Sequence, residues 1–186
     1  MSDALQALYA GQLEKAEALL GPEEALSVFE AAAFGRLDRL RSLLHEDPAQ
    51  AGARSKDGFT ALHLAVFAQQ AEAARVLIDQ GADVNARSGG EVARVPPLGT
   101  AAFVRSVDMA RLLLDAGADV NGCGEGGFTA LHSAAQNGDE ELVRLLLGRG
   151  ADPSIALPDG RRPADLAAAA ERVRSLLAPA GLSLDT

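Results

Sequence analysis

The chain repeats itself, and this periodicity restricts its fold more than any other feature. The phrase Gly-Ala-Asp-Val-Asn begins at Gly81 and at Gly117, and a variant, Gly-Ala-Asp-Pro-Ser, begins at Gly150, in steps of 36 and 33 residues. A second phrase, Gly-Phe-Thr-Ala-Leu-His, begins at Gly58 and Gly127 in the same register. A fixed period of this length indicates an array of small structural units rather than one globular core.

Each unit contains two short amphipathic segments between these phrases. We expect helices over 61–67 and 71–80 in one unit, and over 130–136 and 140–149 in another. Helices this short are unstable alone in water, so their apolar faces must pack on neighbouring units. The chain contains 38 Ala and 28 Leu. Because both residues are strong helix formers, the composition supports an all-α fold.

The repeated phrases resemble the ankyrin repeat family. The resemblance implies an all-α ankyrin-repeat solenoid, in which helix-turn-helix units are linked by β-hairpin-like loops, with residues 1–178 forming a single domain. The expected units are an N-terminal helical pair at 3–20, four repeats at 22–54, 55–87, 88–123 and 124–154, and a truncated C-terminal cap repeat at 155–178. Residues 179–186 are predicted to be a disordered tail.

The repeated polar residues have structural roles that follow from their positions. Thr60 and Thr129 directly precede helices, where a hydroxyl can accept a hydrogen bond from an unpaired first-turn amide. Gly81 follows a helix, where the left-handed conformation is favourable only for glycine. The short side chains of Asp83 and Asn85 can bond the backbone of the turn that leads to the next unit. These residues therefore form the scaffold.

The third repeat departs from the pattern. Pro96 and Gly99 replace the Thr and His of the second phrase, and the hairpin before them is three residues longer. The tip of that hairpin, 88–91, is expected to project and to move more than the others. The glycine expected after the first helix is Gln69 in the second repeat and Arg105 in the third. A non-glycine residue in a left-handed turn costs about 1 kcal/mol, unless the turn itself has changed.

No titratable residue belongs to a pattern that indicates catalysis. His63 and His132 occupy identical repeat positions, and the resemblance implies that they bridge backbone groups of adjacent repeats. His45 lies near a helix end without a second histidine at a useful ligand spacing. The single cysteine, Cys123, has no base in its own segment, and the sequence contains no phosphate-binding loop or nucleophile elbow. We therefore expect no enzyme activity, no cofactor and no metal site.

Charge and cysteine usage exclude several classes of partner and compartment. The net charge of -9, from 17 basic and 26 acidic residues, has the wrong sign for nucleic acid or an anionic membrane surface. No stretch reaches the roughly 18 apolar residues of a membrane helix. The N-terminus lacks a signal-peptide pattern, and one cysteine does not require an oxidising compartment. The sequence predicts a cytoplasmic protein, and 15 Arg against 2 Lys is typical of a bacterial coding sequence.

In the ankyrin repeat family, ligands usually contact the concave face, which is formed by the hairpin tips and the ends of the first helices. On this chain those positions hold five of the six phenylalanines, and acidic residues such as Asp57 and Glu125 lie at the rim. The predicted partner-binding residues are Phe34, Phe59, Phe67, Val95, Phe103, Val104, Phe128, Gln136, Asn137 and Arg161. The alternative is that these phenylalanines only pack between neighbouring repeats.

Aromatic anchors with a polar rim are typical of a protein-binding surface. We therefore predict a non-catalytic interaction module that binds another protein, apolar with basic flanks, through the concave face and hairpin loops. The alternative is a dedicated regulatory subunit or inhibitor of one specific enzyme. A third possibility is a substrate for modification, because Asn85 and Asn121 lie where some members of the family are hydroxylated.

Overall fold

The computed structural model describes residues 2–89, 94–167 and 170–178. These residues form six consecutive helix pairs and contain no extended strand, only the isolated bridges Arg54–Thr60 and Cys123–Thr129. The helices are α1 Asp3–Tyr9, α2 Leu13–Ala18, α3 Val28–Ala33, α4 Leu37–Glu46, α5 Ala61–Phe67, α6 Ala71–Asp79, α7 Pro97–Phe103, α8 Val107–Asp115, α9 Ala130–Gln136, α10 Glu140–Gly148, α11 Pro163–Leu166 and α12 Glu171–Leu177. The predicted bounds of α5 and α9 are confirmed, while α6 and α10 each end one residue earlier than expected.

The helix pairs stack in two layers. The first helices of successive units pack on one another, from α3 through α5, α7 and α9 to α11, and the second helices do the same from α4 to α12. One continuous apolar core runs between the layers from Val28 to Leu177. Three leucines at equivalent positions of the second layer, Leu77, Leu113 and Leu146, have no exposed surface, and Leu43, at the same position of α4, is 7% exposed. The predicted all-α solenoid is therefore confirmed.

The predicted helix caps are present in the second and fourth repeats. Thr60 Oγ1 accepts a hydrogen bond from the backbone N–H of His63 at 3.4 Å, and Thr129 Oγ1 accepts one from His132 at the same distance. In the third repeat Pro96 occupies the cap position and makes no side-chain bond to the helix. That helix nevertheless has the same length as α5 and α9, because stacking on both neighbours stabilises it.

Each hairpin is closed by a backbone hydrogen bond, and the spacing of this bond measures the length of the hairpin. In the third repeat the bond joins the N–H of Ser88 to the C=O of Val95, seven residues on. In the other hairpins it spans four residues, and the pairs are Ser55–Phe59, Gly124–Phe128 and Leu157–Arg161, each at 2.8 Å. The three additional residues predicted for the third hairpin are therefore confirmed.

The first half of this long hairpin lies against the preceding one. The N–H of Gly89 donates to the C=O of Gly58 at 2.7 Å, and Ser88 is only 2% exposed. The Arg54 guanidinium donates to the C=O groups of both Gly58 and Arg87. The expectation that the tip projects is thus wrong for Ser88 and Gly89, because these bonds hold them on the second repeat. The remainder of the expected tip, residues 90 and 91, lies outside the described residues.

The two non-glycine residues after the first helices keep the left-handed turn. Gln69 and Arg105 both have φ = 57°, close to the 63° of Gly35 and the 65° of Gly138 at equivalent positions. The turn has therefore not changed to accommodate a side chain. The conformational penalty predicted from the sequence applies to both residues.

Candidate binding groove

A groove of about 980 Å³ crosses the second, third and fourth repeats on the side of the hairpins. Phe67, Phe103 and Gln136 are the last residues of α5, α7 and α9, so the repeat brings them to the same edge of the stack. Phe59 and Phe128 each precede a capping threonine. The residues lining the groove are Tyr9, Asp57, Phe59, His63, Phe67, Gly89, Val95, Gly99, Thr100, Phe103, Glu125, Phe128, Thr129, Ser133, Gln136 and Asn137.

Phe103 is the most exposed aromatic residue of this groove. Its side chain is 70% exposed, whereas Phe59, Phe67 and Phe128 are half-buried. Burial of a phenylalanine side chain stabilises a protein or a complex by about 1.5 to 3 kcal/mol relative to leaving it in water. A partner that covered Phe103 would gain this free energy on binding. The alternative considered above, packing between repeats, does not describe Phe103.

The missing histidine of the third repeat contributes to the shape of the groove. Gly99 occupies the position that His63 and His132 hold in the adjacent repeats, and both Gly99 and Thr100 line the groove. Since glycine has no side chain, no imidazole lies at this point, and a Cβ added to Gly99 would contact the Pro96 ring at 3.5 Å. The groove therefore passes over the repeat that departs most from the pattern.

His63 has a structural role and is neutral at physiological pH. Its Nε2 is 2.9 Å from the carbonyl oxygen of Val95, which can only accept, so Nε2 carries the proton and donates. Its Nδ1 then accepts from the Thr60 hydroxyl at 2.8 Å. Burial lowers the pKa of His63 from 6.5 to about 4, against a smaller opposing effect of the Val95 bond. The implied bridge to the next repeat is confirmed for His63.

His132 makes half of this arrangement. Its Nδ1 lies 2.8 Å from the Thr129 hydroxyl, as in the second repeat. Its Nε2 faces the backbone of Arg161 but lies outside hydrogen-bonding geometry, and it has no other partner among the described residues. Burial also lowers the pKa of His132. The bridge implied by the resemblance is therefore incomplete between the fourth repeat and the cap repeat.

Tyr9 also lines the groove, although it is not among the residues predicted from the sequence. Its ring centroid lies 4.8 Å from that of Phe67 and 5.9 Å from that of Phe59. Burial raises the pKa of Tyr9 to about 12, with a smaller contribution from the charge of Asp57. The signal was present in the register, because Tyr9 stands two residues before Gly11, as Phe67 stands two residues before Gln69. Both are the last residue of a first helix.

Seven of the ten predicted residues lie together along the groove: Phe59, Phe67, Val95, Phe103, Phe128, Gln136 and Asn137. Phe34 does not, because it is 7% exposed and packs in a separate apolar cluster with Leu5 and Leu8 of α1. Val104 is half-buried behind Phe103. Arg161 lies in the last hairpin, where its Nε is 2.7 Å from the Asp159 carboxylate. These three residues therefore lie outside the lining of the groove.

The charged groups that line the groove have one sign. Among the described residues, Asp57 and Glu125 contribute carboxylates to the lining, and no Lys or Arg belongs to it. The one imidazole of the lining, His63, is neutral above its depressed pKa of about 4. An aromatic surface beside carboxylates favours a ligand that is apolar and positively charged.

The described residues hold no convergent set of groups for chemistry. Among them, no three His, Cys, Asp or Glu side chains could hold a metal ion. Cys123 is half-buried, and the group near its Sγ is the Arg87 guanidinium at 3.6 Å, which is no general base. In the same part of the chain, no helix is long and apolar enough to cross a membrane. These observations leave the groove as the candidate site.

Comparison with known proteins identifies the repeat. Palmitoyltransferase akr1 of Schizosaccharomyces pombe is 39% identical over 70 residues, which are 38% of this chain and 11% of that protein. The human 2-5A-dependent ribonuclease is 48% identical over 50 residues, which are 27% of this chain and 7% of that protein. The chain thus spans about a tenth of these two relatives, whose enzymatic names say nothing about its own activity. The family model for "Ankyrin repeats (3 copies)" matches residues 4–88 and 91–156. The chain belongs to the ankyrin repeat family, whose repeats form a general protein-binding fold.

Proposed function

We propose that this chain is a non-catalytic interaction module that binds another protein in the groove across its second to fourth repeats. The observation that carries the proposal is Phe103, a large apolar side chain that is 70% exposed at the centre of an aromatic groove. The chain has only six Phe, one Tyr and no Trp. Four of these six Phe and the Tyr line this groove, which supports a binding surface rather than a random distribution.

The lining also suggests the chemistry of the partner. Among the described residues, the lining combines phenyl rings with two carboxylates and contains no Lys or Arg side chain. We therefore propose a protein segment with apolar anchors and basic flanks, met in the cytoplasm, and neither nucleic acid nor a membrane. A net charge of -9 on the whole chain would accelerate the encounter with such a partner.

The experiment compares two charge insertions at exposed apolar positions. Phe103→Glu places a carboxylate inside the groove, whereas Leu13→Glu places one on α2, where the leucine is 62% exposed and lies outside the groove. Both variants should fold, because neither site is buried. Each would be used to capture proteins from a lysate of the source cells, with quantification by mass spectrometry.

We expect Phe103→Glu to lose a captured protein at least tenfold, since loss of an interface anchor costs about 2 kcal/mol or more. Leu13→Glu should retain it. Equal capture by both variants would contradict the proposed groove. A single protein retained at one-to-one stoichiometry would instead favour the alternative, a dedicated regulatory subunit or inhibitor.

A further inference from the structure

One end of the groove combines three aromatic rings with a carboxylate. The Tyr9 ring lies there against both phenylalanines, with its centroid 4.8 Å from that of Phe67 and 5.9 Å from that of Phe59. Asp57, on the adjoining hairpin, lines the same end. We call these four residues the aromatic corner. Its rings come from two different units, since Tyr9 belongs to the N-terminal pair and the phenylalanines to the second repeat.

The negative charge of the corner is close to its rings. Asp57 stands two residues before Phe59 on the same hairpin, and its charge adds to the effect of burial in raising the pKa of Tyr9. A phenol with a pKa of about 12 keeps its proton at neutral pH and remains a hydrogen-bond donor and acceptor. The nearest titratable nitrogen of the lining, on His63, is neutral. The Asp57 carboxylate and the ring faces therefore contribute negative potential to the corner, while the Arg54 guanidinium of the same hairpin is bound to the C=O groups of Gly58 and Arg87.

These features select a cation that can also pack against aromatic rings. The faces of aromatic rings attract cations within about 6 Å of the ring centroid. A guanidinium combines this stacking with paired hydrogen bonds to a carboxylate, whereas an ammonium supplies only a compact charge. We propose that the aromatic corner binds a basic side chain of the partner, arginine in preference to lysine. This inference rests on the proposed function and specifies one contact within it.

The rest of the groove sets the length of the segment that carries this side chain. From the corner at α5, the groove crosses α7 and reaches α9. Stacked helices lie about 8 to 10 Å apart, so two steps amount to roughly 16 to 20 Å. An extended chain covers that distance in about five or six residues. A hexapeptide with a terminal arginine can therefore fill the corner while its apolar residues reach Phe103 and Phe128.

The test uses two matched peptide libraries. One contains acetylated and amidated hexapeptides of Leu, Ile, Met and Phe with one arginine at the first or last position. The other replaces that arginine by citrulline, which has nearly the same shape without the charge. Both are passed together over the immobilised full chain, and bound peptides are quantified by mass spectrometry. We expect about a fivefold preference for arginine, the effect of a partly exposed cation–π contact.

Two pairs of variants locate the preference. Asp57→Asn should abolish the preference for arginine. Asp159→Asn should not, because Asp159 stands at the equivalent position of the last hairpin and does not line the groove. Phe67→Leu should reduce the preference, whereas Phe103→Leu, at the equivalent position of the next repeat, should weaken binding of both libraries equally. A preference that survives Asp57→Asn would overturn the assignment of the corner.

Tyr9 supplies an independent readout. It is the single tyrosine of a chain without tryptophan, so the intrinsic fluorescence excited near 275 nm, roughly the tyrosine maximum, comes from Tyr9. A selected arginine peptide should change this emission in a saturable titration, and its citrulline twin should change it much less.

Equal retention of both libraries, with loss of both in Phe103→Glu, would refute the corner and leave the binding groove in place. If neither library binds, the corner is also refuted. In that case, the capture experiment with Phe103→Glu and Leu13→Glu still decides separately whether the groove binds a protein.

Discussion

The second and third repeats solve the same folding problem with different residues. The second keeps the capping Thr60 and the buried His63, whereas the third has Pro96 and Gly99 at these positions. Their first helices nevertheless have seven residues each, and their central leucines, Leu62 and Leu98, are 0% and 1% exposed. The comparison teaches that stacking on two neighbours fixes the helix, and that the cap and the histidine can be replaced.

The comparison also shows which repeat donates the hydrogen bond that joins two neighbouring repeats. His63 belongs to the second repeat, but its Nε2–H donates to Val95, in the hairpin of the third. The hairpin of the third repeat therefore still accepts this hydrogen bond, although the third repeat has no histidine of its own. Gly99 offers no such donor to the hairpin of the fourth repeat, and that place is occupied by the groove. The repeat that lacks this bond is thus one of those that the proposed binding groove crosses.

The largest expected effect on stability comes from a substitution that breaks the contact between the hairpins of the second and third repeats. Gly58 has φ = 81°, and a Cβ at this position would lie 2.3 Å from the backbone of Gly89. Left-handed strain together with this overlap should make Gly58→Ala less stable by about 4 kcal/mol. The measurement is the free energy of unfolding from urea denaturation, followed by circular dichroism.

The matched control is Gly127→Ala in the fourth repeat. Its φ is 78°, but the nearest atom to an added Cβ is 3.9 Å away. This variant should lose only the conformational part, about 1 kcal/mol. Equal losses in the two variants would show that the Gly58–Gly89 contact does not form in solution.

Acid should act on the second repeat before the surface carboxylates are protonated. The pKa of His63 falls from 6.5 to about 4 on folding, so the unfolded chain binds more protons between these values. Stability is therefore complete above about pH 6.5 and decreases toward pH 4, by about 3 kcal/mol from this group. The measurement is urea denaturation at a series of pH values.

Two histidine variants sharpen this prediction. His63→Gln should remove most of the decrease between pH 6.5 and 4 and leave the smaller part that belongs to His132. His132→Gln should remove only that smaller part. A wild-type profile in His63→Gln would mean that His63 is accessible to protons in the folded state.

The smallest effect concerns the left-handed turn after the first helix. Gln69→Gly should raise the free energy of unfolding by about 0.5 kcal/mol, because the relief of strain exceeds the added entropy of the unfolded chain. Gly138→Ala, at the equivalent position of the fourth repeat, should lower it by about 1 kcal/mol. Thermal unfolding followed by circular dichroism measures both changes, and a decrease in Gln69→Gly would show that its side chain makes a stabilising contact.

The repeat register was sufficient to predict positions along a unit. It located α5 and α9, the three additional hairpin residues, and the left-handed turns at Gln69 and Arg105. It failed where the environment depends on a neighbouring unit. Phe34 is buried because α1 covers it, and Ser88 is buried because its hairpin lies on the second repeat. The exposure of a residue depends on the neighbouring units of the stack, so the sequence of one unit is not enough to predict it.

Tyr9 and Gly99 were missed for a related reason. The residues of the N-terminal pair depart from the repeated phrases, so Tyr9 was not aligned with Phe67 even though both end a first helix. The sequence shows that Gly99 replaces the histidine and its hydrogen bond. The effect of the absent side chain on the groove depends on the neighbouring atoms, which the sequence does not place. Its contribution to the groove required the positions of Val95 and Thr100.

Two asparagines at equivalent positions, Asn85 and Asn121, link each repeat to the one that follows it in the chain. Asn85 Oδ1 accepts from the N–H of Asp119 at 2.8 Å, and Asn121 Oδ1 does the same for Asp152. Each asparagine thus satisfies the backbone of the unit that is made after it. Since ribosomes synthesise chains from the N-terminus, every newly emerging repeat meets a finished template that already presents its hydrogen-bonding partners. The scaffold is suited to growth by successive addition during translation.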